Sequence, residues 1–110
     1  MAIDPSIHVV YVSAQQVRKL FNEGQYAQRA RRGEFRRVTI RDKRADPIKT
    51  GEPRGTKSQM IAYIDANGNQ VALVHQYLRP DGTFGGRGHR PDPKIVLHDG
   101  VLYRIEPGDV

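Results

Sequence analysis

The sequence predicts an α+β domain, with an N-terminal strand and one or two short helices packed on an antiparallel sheet of about five strands. Three observations carry this. Val and Ile together number 18 against 5 Leu, a balance that favours strands over a helical bundle. Ser13 and Gln16 form an S-x-x-Q capping signature ahead of an apolar stripe of helical period. Two turn dipeptides, Asn67-Gly68 and Asp99-Gly100, each separate β-rich runs. At 110 residues the chain reads as one domain, 1–110, with long loops at 43–58 and 79–93.

The elements follow in order. Ile7–Val12 is apolar and β-branched, which predicts a strand. Ser13 would cap a helix by accepting from the Gln16 amide, with Gln16 reaching back. Ala14, Val17, Leu20 and Phe21 then share one helical face, and Gly24 is the expected left-handed stop. Gln25–Arg32 reads as a second short helix closed by Gly33, with Tyr26 and Ala30 one turn apart. Phe35–Asp42 alternates, so Val38 and Ile40 should turn inward and Arg37, Thr39 and Arg41 outward. Lys43–Ser58 holds Pro47, Gly51, Pro53 and Gly55, and is expected to be irregular. Gln59–Asp65 and Gln70–Leu78 flank Asn67-Gly68 as a hairpin. Lys94–His98 and Val101–Glu106 flank Asp99-Gly100 as a second, with Leu97 facing Leu102 and Val96 facing Tyr103.

Charge is the strongest functional signal. The net charge is +6, and residues 18–57 alone carry 13 basic against 5 acidic side chains. A concentrated block of this sign is the footprint of a polyanionic partner. Most of it is arginine, which grips phosphate bidentately where lysine is only a point charge. Arg29, Arg32, Arg36, Arg37, Arg41, Arg44, Arg54, Lys57 and, further on, Arg87 are the candidate nucleic-acid contacts.

Several chemistries are excluded. With no cysteine there is no disulfide, thiolate zinc site, iron–sulfur cluster or Cys nucleophile. Gly51–Ser58 resembles a P-loop, but Thr56 stands where the second Gly belongs and a strand follows. Gly82, Gly85, Gly86 and Gly88 fit no G-x-G-x-x-G register, and no βαβ unit surrounds them. His75, His89, Asp81 and Asp92 lack metal-ligand spacing, so no metal or other cofactor is expected. No apolar run has the length of a membrane span and the first residues are no signal peptide, so the expectation is a cytoplasmic protein without a membrane partner.

The 75–94 region carries candidate chemistry. Metal-independent RNA cleavage needs a base for the 2′-hydroxyl, an acid for the leaving oxygen and cations for the charged phosphorus centre. His75 and His89 suit the acid–base roles, Arg87, Arg90 and Lys94 the phosphate, and Tyr77 a base or a histidine. His98 would bring a third histidine to the same end of the sheet, unless it merely serves the turn beside it. If Val71, Leu73, His75 and Tyr77 form the buried face of their strand, His75 lies at its edge. The layout resembles that of many small bacterial ribonuclease toxins, an analogy of arrangement with no motif transferred.

Three functions follow. The first is a small RNA-interacting protein, in its most specific form a metal-independent endoribonuclease of bacterial toxin type. The second is a non-catalytic accessory module that binds nucleic acid, a ribosome or a phage component. The third is an interaction subunit that docks an acidic protein.

Overall fold

The computed structural model describes residues 7–86 and 90–108. Its elements are β1 (His8–Val12), α1 (Ala14–Glu23), α2 (Tyr26–Arg31), β2 (Arg36–Arg44), α3 (Pro47–Thr50), β3 (Lys57–Ile64), β4 (Gln70–Leu78), β5 (Asp92–His98) and β6 (Val101–Ile105). The α+β class is as expected. The sheet, however, has six strands rather than about five, in the order β1-β6-β5-β4-β3-β2. The five later strands are antiparallel, and β1 joins them by pairing parallel to β6. That pairing brings together strands far apart in sequence, and no local turn announces it. The two edges are thus β1 and β2, and α1 and α2 carry the chain from one to the other across a face of the sheet.

Ser13 caps α1 by accepting from the Gln16 amide at 3.1 Å. Ala14, Val17 and Phe21 are buried on its inner face and Leu20 is partly buried. The helix does not stop on a left-handed Gly24, which is right-handed at φ −78°; Gln25 takes the left-handed turn at φ 54°. Gly24 serves space instead, because a Cβ there would lie 2.2 Å from the Tyr26 ring. Gly33 does close α2 at φ 87°. Its amide donates to the Ala30 carbonyl and the Glu34 amide to that of Arg29, which is a Schellman close.

Phe21, Tyr26, Phe35 and Tyr63 form a ring of four aromatics, each centroid 5.6–6.5 Å from the next. Tyr26 Oη also donates to the Leu97 carbonyl at 2.6 Å, which satisfies its polar end. Ile61, Ala72, Val74 and Val96 complete this core beneath the helices. Each of the larger of these side chains contributes about 1.5–3 kcal/mol by burial. On β4 the fully buried residues are Ala72 and Val74; of the expected buried face Val71 is buried in the core, while Leu73, His75 and Tyr77 lie on the half-buried opposite face.

Segment 43–58 is more regular than its prolines and glycines suggest. β2 runs on to Arg44, α3 occupies four residues and β3 begins at Lys57. Asp46 caps α3, Gly51 ends it at φ 72°, and the Ala45 amide donates to the Thr56 carbonyl to close the loop at its base. Ile40 is not turned inward: it sits at a bulge between Thr39 and Arg41 and is 47% exposed. The Asp99-Gly100 hairpin has the expected register, with positive φ at both turn residues.

Candidate functional site

The β2–β3–β4 register arranges the chemistry in rows. Lys43, Ser58 and Tyr77 lie side by side on one face, and the next row on that face is Arg41, Met60, His75 and Asp92. Alternation from Val74 places this face away from the α1–α2 core. His75 and Ser58 share a hydrogen bond of 2.7 Å between Nε2 and Oγ. The edge of one ring meets the other where His75 packs on Tyr77, with centroids 4.7 Å apart. His75 is held on two sides.

Its charge state is shifted as well. Burial lowers the His75 pKa, Lys94 lowers it further, Asp92 opposes, and Lys43 and Arg41 add to the depression. Lys94 in turn donates to Asp92 at 2.9 Å, and Arg18 of α1 reaches the other Asp92 oxygen at 4.0 Å.

A cleft of about 580 Å³ opens beside this cluster. Its walls are Arg18 and Asn22, the β4 segment His75–Tyr77, Gly85 and Gly86, and the chain from Arg90 to Pro93. The cause is the path after β4. Leu78 pairs with Phe84, while the Arg79 and Gly85 amides donate to the Thr83 and Tyr77 carbonyls. β5 begins at Asp92, paired opposite His75. Glu52 holds the segment from Arg79 to Gly86 from across the molecule. It is buried, accepts from Arg79 Nε at 2.8 Å and accepts from the Gly86 amide at 2.7 Å. A Cβ at Gly85 would lie 2.5 Å from the Glu52 carboxylate and would push it off its partners.

The candidate catalytic residues His75, Tyr77 and Arg90 thus line one cleft, and Lys94 acts electrostatically on His75. His89 and Arg87 lie outside the described residues. His98 does not join them: it ends β5, six residues and about 20 Å along the strand from Asp92, where its Nδ1 sits 3.4 Å from Tyr26 Oη. Among the described residues no three metal-ligating side chains gather, and no helix is long and apolar enough to cross a membrane.

The candidate nucleic-acid contacts divide. Arg29 is engaged within the fold, over the Phe35 ring at 4.5 Å and donating to Glu34 at 2.8 Å. Arg32 shares Glu34 at 3.5 Å. Arg36, Arg37, Arg41 and Arg44 are exposed along β2, and Lys57 stands opposite Arg44. Arg54 meets Arg44 and Lys57 around a separate concavity at the end of β2.

Sequence reasoning missed Ser58, Glu52 and Arg18. Ser58 was within reach, because the Asn67-Gly68 hairpin brings the start of β3 alongside the end of β4. Glu52 and Arg18 meet the site only through tertiary packing, and no local pattern marks them. Comparison of the chain with protein-family models, with curated proteins and with solved structures finds no match.

Proposed function

We propose that this protein binds RNA through β2 and the sheet face that continues from it to His75. The reading rests on one observation: an exposed edge strand carries Arg36, Arg37, Arg41, Lys43 and Arg44 against a single carboxylate, Asp42. Cations at fixed spacing on both faces of a rigid edge strand can meet a phosphate backbone that follows the edge, and Tyr77 offers a ring to an unstacked base. The test is a mobility shift with single-stranded RNA over a salt series. Replacing Arg37, Arg41 and Arg44 with Ala should weaken binding and reduce the log–log salt slope by about 0.7 for each phosphate that is no longer neutralised. An unchanged slope would remove β2 from the interface.

A second reading, catalysis, draws on the depressed pKa of His75. A neutral imidazole beside Lys94, Lys43 and Arg41 is equipped to take a proton from a 2′-hydroxyl while cations meet the phosphate. The 2′-oxygen would attack phosphorus and expel the 5′-oxygen, leaving a cyclic phosphate; His89 is the candidate to protonate that leaving oxygen. Incubation with RNA in EDTA should then show cleavage by the wild type and none by His75→Ala. Binding by both proteins with cleavage by neither would leave a pure RNA-binding module.

A further inference from the structure

The concavity at the far end of β2 is a second feature, apart from the His75 cleft. It is lined by Arg44, Arg54 and Lys57, with Ala45, Pro47 and Gly55 completing the wall. Among the described residues that line it, none is acidic. Among the described residues no carboxylate lies within ion-pair distance of Arg44 or Arg54, and Lys57 reaches only Asp42, at 3.8 Å in an exposed setting.

The three cations are held together against their mutual repulsion. Arg44 and Lys57 are direct cross-strand partners, an arrangement of like charges that destabilises a sheet. Gly55 at φ 93° turns the loop so that Arg54 faces the same space. The Ala45–Thr56 backbone bond of 2.9 Å ties both walls. Repulsion built into a closed loop is relieved when an anion enters between the cations. The rest of the wall is apolar or backbone, and Ile48, next to Pro47, is 93% exposed.

We infer that this concavity is a phosphate subsite, in which Arg44, Arg54 and Lys57 grip one phosphate of a nucleotide while Ala45 and Pro47 meet its sugar. The inference rests on the RNA reading and extends it. β2 then carries the strand from the His75 row, at Arg41, round the sheet edge to a phosphate anchor three residues on, about 10 Å along β2 and on the opposite face. The subsite sets where a bound strand is pinned relative to His75.

The test uses the full chain, labelled with ¹⁵N, and titrates it separately with adenosine 5′-monophosphate, inorganic phosphate and adenosine. The monophosphate should move the Ala45 and Gly55 amide signals saturably, inorganic phosphate should do so more weakly, and adenosine should not. Arg54→Ala should weaken monophosphate binding about tenfold, as expected for one charge-assisted hydrogen bond removed. Because Arg54 is exposed on a loop and its removal relieves like-charge repulsion, the variant should unfold at a temperature no lower than the wild type, which rules out misfolding. Shifts scattered over every basic residue, or an affinity unmoved by Arg54→Ala, would overturn the subsite. RNA binding with no response to the monophosphate would sink the subsite and leave the RNA reading standing. A saturable response in a protein that binds no RNA would do the reverse.

Discussion

His75 shows how one residue's surroundings set its chemistry. Its half-buried ring lies among Lys94, Lys43 and Arg41, with Asp92 as the opposing charge. Burial and all of these groups except Asp92 disfavour the imidazolium, so the folded pKa lies below the unfolded value of about 6.5. The unfolded chain therefore binds the proton first as pH falls. Stability from this group is complete above the unfolded pKa and is lost as pH falls through the folded one. Replacing His75 with Gln keeps a side chain able to bond Ser58 and removes the titration. The unfolding temperature of the wild type should drop relative to His75→Gln as pH falls below about 7, where the unfolded chain begins to take up the proton. Parallel curves would mean that neither burial nor the cations act on His75.

At the scale of elements, α1, the turn at Gly24-Gln25 and α2 act as a unit because Tyr26 is fixed on every side. It stacks on Phe21 and Phe35, and its hydroxyl is bonded to Leu97. The ring cannot retreat from a new methyl group at residue 24, which would lie 2.2 Å away. Gly24→Ala should destabilise the fold by about 1–3 kcal/mol, measured by denaturant unfolding, although the backbone there suits any residue. Gly33→Ala faces open space, and its cost of about 1–2 kcal/mol comes from a left-handed backbone instead. β2 illustrates a different constraint. An edge strand invites pairing with other chains, and the bulge at Ile40 with its flanking arginines discourages it. The same charges make the edge available to a polyanion.

Across the whole molecule, Glu52 links two loops far apart in sequence. Its carboxylate takes the Arg79 guanidinium and the Gly86 amide, so segment 51–56 holds the wall of the His75 cleft. Arg79 is partly exposed and can rehydrate, whereas the Gly86 amide would lose its partner. Glu52→Ala should therefore cost about 1–3 kcal/mol and speed hydrogen exchange at Arg79, Gly85 and Gly86 more than in the core strands. Equal effects throughout would show that Glu52 supports the global fold and not this wall. If His75 acts on RNA, the same variant should lower activity without altering binding along β2.

The sequence by itself determined the class of fold, both hairpins, the α1 cap and the concentration of positive charge. All are local: a capping side chain reaches three residues, a turn dipeptide joins its own two strands, and charge clusters where the chain is basic. It also brought His75 and Tyr77 together, since alternate residues of one strand share a face. Tertiary structure decided the rest. β1 found its place beside β6, distant in sequence, through pairing that no short pattern encodes. Ile40 turned outward because a single extra residue in β2 shifts every later side chain to the other face. His98 parted from His75 because β5 runs antiparallel to β4, leaving its two ends a full strand length apart. Ser58, Glu52 and Arg18 came to the site by packing across strands, loops and a helix, where sequence distance says nothing about distance in space.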